Sequence, residues 1–300
     1  MHLPLTLALL PLAARAVNVI SANDDGWAEK NIRTFYDSLT TAGHSVVISS
    51  PAENQSGKGS LDAEPKELTE PCEFDSCPEG SPPVGNNATQ PRWNYVNSYP
   101  VTSIKHGIQN LSTTFFNGAP DLAVTGPNVG ANLGVVTAIS GTVGAACYAA
   151  HDAGIPAIAF SGGSGSATAW DDPTPAYATL YAQLATKVVN AVVAAGTPYL
   201  PKDVFLNVNF PKVDDGKCAS ADDFKFVLSR IYTAVPLVSG EDVETCSNDK
   251  RLPTETKVTG GDGCYVSISV GKATNKRDAD AAAQGEVLTK LGDFLTCLPN

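Results

Sequence analysis

Short apolar runs alternate with amphipathic segments along the first two thirds of the chain. Residues 17–22 predict a buried strand, and residues 29–42 predict a helix because their apolar side chains recur at helical spacing. Gly43 follows at the position after a helix where glycine is favoured, and residues 45–50 predict a second strand. Together these elements have the size of one strand–helix–strand unit.

The alternation resumes after an interruption. Residues 51–93 are rich in Pro, Gly, Ser and acidic side chains, so we expect a long loop or excursion rather than a linker between domains. Beyond residue 121, strands are predicted at 122–125, 157–160 and 204–210, with helices at about 142–153 and 177–195. This order predicts an α/β fold with a mostly parallel, Rossmann-like sheet flanked by helices.

The last part of the chain is less regular. Strands are predicted at 224–232 and 265–270, the second antiparallel because its side chains alternate, and a closing helix is predicted at 279–295. We interpret residues 17–300 as a single α/β domain in which about 211–300 form a C-terminal extension.

Residues 1–16 predict a secretory signal peptide. The apolar segment 3–14 is shorter than the ~20 residues that span a bilayer. It ends in Ala14-Arg15-Ala16, a small-x-small cleavage pattern. A buried N-terminal helix is the alternative, which Pro4 and Pro11 disfavour. We therefore expect a secreted protein without a membrane anchor.

The cysteines fit an oxidising compartment outside the cell. Cys72 and Cys77 lie close together in a loop and are expected to pair, whereas Cys147 lies in an apolar helical segment and is expected to be buried and free. The connectivity of the other four stays open: Cys218, Cys246, Cys264 and Cys297. Sequons at Asn54, Asn87 and Asn110 predict a glycoprotein, and the one at Asn87 is favoured because it lies in an evident loop.

The chain carries a formal net charge of −11. An acidic surface disfavours nucleic-acid polymers, because their binding depends on neutralising phosphates with Lys and Arg. The same charge is also explained by solubility alone.

Two adjacent carboxylates follow the first predicted strand. Asp24 and Asp25 can converge on one cation only where the chain has left the strand, and Gly26 permits that turn. Paired carboxylates suit Mg²⁺, Mn²⁺ or Ca²⁺. An Asx turn followed by a helix N-cap explains these residues equally well.

Polar residues also follow the next strands. Ser56 lies in a segment (54–57) that taken alone indicates a turn, and Asn128 lies in a Gly/Asn-rich segment (126–134) where it could offer a carbonyl oxygen to a cation. Residues 140–146 open a helix whose N–H groups and hydroxyls suit phosphate, although an ordinary cap is the alternative. A hard cation beside an anion site predicts metal-assisted hydrolysis of a phosphomonoester.

Five segments of the chain, in order and spacing over residues 17–210, resemble SurE-type phosphatases. They are VISANDDG (19–26), ENQSG (53–57), GAPDLAVTGPNVGANLG (118–134), SGTVGAA (140–146) and GIPAIAFS (154–161). The resemblance implies a Rossmann-like domain with a C-terminal extension that often swaps within a dimer. It also implies divalent-metal-dependent hydrolysis of nucleoside monophosphates and other phosphate esters.

Site residues follow from the same resemblance, which implies a small phosphorylated substrate and allows a homodimer. It makes Asp24 and Asp25 catalytic and assigns the metal to Asp24, Asp25, Ser56 and Asn128. It assigns phosphate to Asn132, Ser140, Gly141 and Thr142.

The C-terminal third departs from the family pattern. The family commonly carries an Asp and a His near its C-terminal strand, whereas residues 253–263 contain Glu255 and no His. His106 is the candidate replacement, and a catalytically lapsed metal- and nucleotide-binding protein is the alternative function. With its four cysteines, this third resembles secreted fungal relatives more than bacterial ones. A serine hydrolase is disfavoured because residues 161–166 lack the G-x-S-x-G elbow, and a dehydrogenase because no G-x-G-x-x-G follows the first strand.

Overall fold

The computed structural model describes residues 16–213 and 218–299. The predicted signal peptide lies, except for Ala16, outside the described residues, so it stays a prediction. Among the helices of the described part, none is long and apolar enough to cross a membrane.

Ten strands and seven α-helices are found in the described residues. The strands are β1 (Asn18–Ala22), β2 (Ser45–Pro51), β3 (Val84–Asn86), β4 (Trp93–Val96), β5 (Leu122–Val129), β6 (Ala157–Gly162), β7 (Val204–Phe210), β8 (Lys225–Ser229), β9 (Tyr265–Lys272) and β10 (Arg277–Asp278). The helices are α1 (Lys30–Thr41), α2 (Pro100–His106), α3 (Ser112–Phe116), α4 (Gly141–His151), α5 (Ala176–Ala194), α6 (Glu255–Thr259) and α7 (Ala281–Leu291).

All these strands join one mixed sheet. Its order is β10-β9-β7-β6-β5-β1-β2-β4-β3, and β8 pairs with β9. The strands from β4 to β7 along this order are parallel, whereas β3, β9 and β10 pair antiparallel with β4, β7 and β9. The mostly parallel α/β prediction is confirmed. The chain order reverses between β1 and β5, which is where such sheets bind ligands, outside the carboxyl ends of the strands.

Helices cover both faces of the sheet. Val19 packs in the hydrophobic core with α1 and α5, whereas its neighbour Ile20 packs in the core with α4. Successive side chains of a strand point to opposite faces, so a strand covered on both sides is apolar throughout. This explains why the first strand was recognisable as a continuous apolar run.

Most predicted elements are found close to their predicted bounds, and β7 coincides with residues 204–210. The prediction for β5 was too short, because the strand runs on to Val129 after a register irregularity between Thr125 and Asn128. Asn128 therefore lies in a strand and not in a loop. Residues 94–120 had no predicted structure, yet they complete β4 and form α2 and α3, which a π-helical turn (Gly107–Leu111) joins into one helical run.

The excursion at residues 51–93 packs on the turn that follows β1. The Trp27 indole donates to the Ser76 hydroxyl at 2.9 Å. The Arg33 guanidinium lies between two indoles, 4.8 Å from the Trp27 ring centroid and 4.1 Å from that of Trp93. These contacts hold the excursion beside Asp24 and Asp25.

The cysteine predictions are confirmed. Cys72 pairs with Cys77, and Cys147 is buried and free. The connectivity left open by the sequence is Cys218–Cys264 and Cys246–Cys297. Both bridges lie in the C-terminal extension, whose strand β9 is antiparallel to β7, as predicted, and parallel to β8. The bounds of the single domain and its extension stay a prediction.

Candidate active site

The chain turns sharply after β1. The Asn23 amide donates to the Gly26 carbonyl at 2.8 Å, and the Gly26 N–H donates to the Asn23 Oδ1 at 3.2 Å. Gly26 has a φ of +116°, which a side chain would disfavour. The Asx turn is therefore present, but Asn23 makes it, and Glu29 caps α1. Asp24 and Asp25 serve neither of these two structural roles.

Asp24 is buried against the first turn of α4. The Gly141 N–H donates to its Oδ2 at 3.1 Å, and the Thr142 hydroxyl donates to its Oδ1. The Ser140 hydroxyl accepts from the Val143 N–H at 3.1 Å, as an ordinary N-cap does. The sequence interpretation treated the N–H groups of this turn as free for phosphate. In the structure, Asp24 and Ser140 occupy two of them.

Asn128 and Asp25 join Asp24 and Thr142 in one cluster of polar side chains. The Asn128 Oδ1 lies 3.4 Å from the Thr142 hydroxyl, which also donates to Asp24. Asp25 accepts from the Val129 N–H at 2.9 Å. Oxygen atoms from the ends of β1 and β5 therefore meet beside the start of α4.

Ser56 is nearby but not joined to the cluster. The N–H of its neighbour Gln55 donates to the Asp24 carbonyl at 2.7 Å, so the loop after β2 is attached to the β1 turn. Ser56 itself is exposed. In the described part of the structure, the Ser56 hydroxyl makes no hydrogen bond to Asp24 or Asp25.

Four carboxyl groups lie close to this turn, and burial opposes the ionisation of each of them. Burial raises the pKa of Asp24, and burial followed by the charges of Asp24 and Glu29 raises the pKa of Asp25 well above its usual range. Burial also raises the pKa of Glu29 to about 8 and that of Glu73, on the excursion, to about 7. None of the ion pairs between described residues includes these four carboxylates.

Such a cluster fits a hard cation. Uncompensated buried carboxylates are costly, and carboxylate, amide and hydroxyl oxygens are the ligands that Mg²⁺, Mn²⁺ and Ca²⁺ prefer. Within the described ranges, no three His, Cys, Asp or Glu side chains converge as a metal site. A cation at this position would take its oxygen ligands from Asn128 as well as from Asp24 and Asp25.

Asn132 is held by a network that sequence reasoning missed. Its N–H donates to Asn209 at 2.9 Å, its carbonyl accepts from Asn207 at 3.0 Å, and its side chain donates to Ser161 at 2.8 Å. Asn207 and Asn209 lie on one face of β7, because side chains two apart on a strand point the same way. That alternation of Asn was visible in the sequence and could have revealed the network.

The three histidines of the described residues contact side chains other than Asp24 and Asp25. His44 contacts Asn190 at 2.9 Å, and His151 contacts Asp203 at 2.8 Å. His106, the candidate replacement for the family histidine, contacts Asn110 at 3.0 Å from the last position of α2.

Comparisons with known proteins identify the family. A profile described as survival protein SurE matches residues 19–230, which is more than half of the chain. The chain belongs to the SurE family.

Its relatives include phosphatases. It is 34% identical to an acid phosphatase of the yeast Yarrowia lipolytica, over 91% of this chain and 84% of that protein. It is 31% identical to the 5′-nucleotidase SurE of Lawsonia intracellularis, over 66% of this chain and 67% of that protein. The alignment with the yeast protein covers more of this SurE-family chain than the alignment with the bacterial protein does. This is expected because the C-terminal third of the chain resembles secreted fungal relatives.

A solved structure confirms the fold. The SurE protein of Aquifex aeolicus superimposes with a TM-score of 0.59 at 21% identity, over 92% of this chain and 99% of that one. At this identity the likeness supports the fold alone.

Proposed function

We propose that this SurE-family protein is a secreted, divalent-metal-dependent phosphomonoesterase that hydrolyses nucleoside monophosphates or related phosphate esters. The observation that carries the proposal is the meeting of Asp24 and Asn128 at the Thr142 hydroxyl, beside the uncompensated carboxylate of Asp25. The names of the yeast acid phosphatase and the bacterial 5′-nucleotidase support the same reaction class.

Four side chains are proposed to hold the cation: Asp24, Asp25, Ser56 and Asn128. Hydrogen bonds from α4 orient the Asp24 carboxylate, and the Val129 amide orients that of Asp25. When bound, a divalent cation would screen the charge of the phosphate and lower the pKa of water. We propose that Ser56 joins by rotation of its exposed loop, which the Gln55–Asp24 bond already holds close to the turn.

The substrate's phosphate is proposed to lie at the start of α4, near Asn132, Ser140, Gly141 and Thr142. Ser140 accepts a hydrogen bond as the N-cap, so its own hydroxyl proton remains to donate. The positive end of the helix dipole favours an anion at this position. The same turn would thus orient both Asp24 and the substrate.

The deciding experiment measures phosphate release from nucleoside monophosphates and p-nitrophenyl phosphate. Activity should vanish with EDTA and return with Mg²⁺, Mn²⁺ or Ca²⁺. Asp24→Asn should lower the restored rate by about 100-fold or more, as loss of an oriented catalytic group does. Asp152→Asn is the matched control, because Asp152 is exposed at the other end of α4. Full activity in EDTA would contradict the proposed mechanism.

A second function is favoured by the histidine positions. None of the three histidines in the described ranges hydrogen-bonds to Asp24 or Asp25, so no counterpart of the family's histidine contacts these two carboxyl groups. A lapsed protein would bind metal and nucleotide without releasing phosphate. Calorimetric nucleotide binding in the presence of Mn²⁺, with no product at any pH between about 4 and 9, would select this function.

A further inference from the structure

Glu255 is a fully buried carboxyl at the start of α6, with an exposure of 0%. Its Oε1 accepts from the Asn207 amide at 2.7 Å, and its Oε2 accepts from the Gly134 N–H at 3.3 Å. A glutamate side chain is almost never fully buried unless it is paired. Among the ion pairs of the described residues, none includes Glu255.

Both contacts of Glu255 lead to one loop, formed by residues 130–134. The Gly134 contact is direct. The Asn207 contact is indirect, because the same Asn207 amide also donates to the Asn132 carbonyl at 3.0 Å. Helix α6 therefore supports the 130–134 loop through Glu255, a residue 121 positions away from Gly134 in the chain.

We propose that Glu255 is a positioning residue for phosphate binding: it fixes the 130–134 loop through Asn207 and Gly134, and its charge state sets the loop's affinity for the phosphate anion. This inference rests on the proposed function for the assignment of phosphate to Asn132. Glu255 would touch neither the substrate nor the cation, and would act only through the loop.

Electrostatics support a titrating role. Burial raises the pKa of Glu255 to about 8, against the hydrogen bonds from Asn207, Ser269 and Gly134 that favour its charged form. Asp278 on β10 raises this pKa further. Asp278 itself pairs with Arg230, which also pairs with Asp242.

The other elements packed on α6 bring no compensating charge to this carboxyl. Strand β7 and the 130–134 loop contribute the uncharged Asn207 and Gly134, and β9 contributes Ser269. Lys225 and Lys272 lie at the outer ends of β8 and β9, and Lys257 is exposed on α6. Ionisation of Glu255 therefore places an unpaired negative charge next to the 130–134 loop.

The consequence is a pH-dependent affinity. Below about pH 8 Glu255 is neutral and braces the loop without repelling an anion. Above this pH, the Glu255 carboxylate opposes the binding of phosphate. By linkage, a bound phosphate opposes the ionisation of Glu255. We expect KM to rise at alkaline pH while kcat, which depends on the bound complex, changes less.

The test compares wild type with Glu255→Gln and Glu255→Ala in p-nitrophenyl phosphate hydrolysis under metal-restored conditions. Between about pH 7 and pH 9, the wild-type KM should rise by about tenfold, a coupling within the usual range for two linked sites. Gln keeps an acceptor for Asn207 and cannot ionise, so the KM of Glu255→Gln should rise less than that of wild type between these pH values. Ala removes the brace and should raise KM at every pH. Glu286→Gln, on the exposed face of α7, should behave as wild type.

Two results would overturn the inference. One is a pH dependence of KM in Glu255→Gln that parallels that of wild type. The other is a Glu255→Ala variant in which kcat falls and KM is unchanged. Should Glu255→Ala fail to fold, the Gln variant alone decides. Should wild type show no metal-restored release at all, the proposed function fails. Calorimetric binding of inorganic phosphate by wild type and Glu255→Gln at both pH values then decides the inference separately.

Discussion

Asp24 and Gly141 are in direct contact, although 117 residues separate them in the chain. The Gly141 N–H donates to the Asp24 Oδ2 at 3.1 Å. A Cβ on Gly141 would lie 2.8 Å from the Asp24 Cβ and 2.9 Å from the Pro100 Cγ. The absence of a side chain at residue 141 therefore sets where the Asp24 carboxylate lies.

Gly141→Ala should displace Asp24 and lower activity. The added methyl group meets Asp24 and the Pro100 ring, and one of them must move. A displacement near ~1 Å costs about 100-fold in rate at an active site, so we expect a loss of that order in metal-restored phosphate release. Gly285→Ala is the control, because its Cβ would lie 3.7 Å from Val243. Equal rates in the two variants would contradict the inference that the absence of a side chain at residue 141 sets the position of the Asp24 carboxylate.

Asp25→Asn should separate metal binding from stability. Asn keeps an acceptor for the Val129 N–H and removes a buried charge, so the metal-free variant should be at least as stable as wild type. At a metal concentration of about 100 Kd, wild type should gain about 2.7 kcal/mol. The variant should lose most of that gain. Thermal unfolding in EDTA and in Mn²⁺ measures both effects; an undiminished Mn²⁺ shift in Asp25→Asn would remove Asp25 from the ligand set.

The metal-free protein should be more stable at pH 5 than at pH 8. Burial raises the pKa of Glu29 from 4.5 to about 8, so the native state retains a proton that the unfolded chain releases. This stability is fully present below pH 4.5 and is lost as the pH rises towards 8. Within that window, one such group lowers the free energy of unfolding by up to about 1.4 kcal/mol per pH unit.

Glu29→Gln should flatten this dependence. Gln keeps the oxygen that accepts from the Asn31 N–H and cannot ionise. Denaturant unfolding in EDTA at pH 5 and pH 8 measures the slope, with the exposed Glu286→Gln as the control. A slope that is the same in Glu29→Gln as in wild type would mean that Glu29 is already ionised at pH 5.

Glycan occupancy should differ between two sequons. Asn87 lies in a turn after β3, where its Oδ1 accepts from the Thr89 hydroxyl at 2.8 Å and its amide is left to react. Asn54 lies two residues from Ser56, where a glycan would crowd the proposed cation. Peptide masses of the protein recovered from the culture medium, before and after enzymatic removal of N-glycans, should show Asn87 occupied and Asn54 unoccupied. Full occupancy of Asn54 would contradict the position of the site.

The sequence alone was sufficient for the elements that depend on local periodicity. Strand β7 and helices α1 and α5 lie within one residue of their predicted bounds, because a buried strand or an amphipathic helix repeats its pattern along the chain. It also indicated that polar residues end β1, β2 and β5. The bounds of β5 and the structure between residues 94 and 120 could not be obtained in this way. A register irregularity interrupts β5 between Thr125 and Asn128, and a π-helical turn at Gly107–Leu111 interrupts the helical segment.

Only the tertiary structure decided how those polar residues meet. Asp24 is held by Gly141, Asn128 by the shared Thr142 hydroxyl, and the 130–134 loop by Glu255. These contacts join residues 117, 14 and 121 positions apart in the chain, and no local pattern specifies which donor an acceptor will find. The sequence determined which chemical groups end each strand; the parallel order of the sheet, with its reversal between β1 and β5, determined that they lie together at one edge.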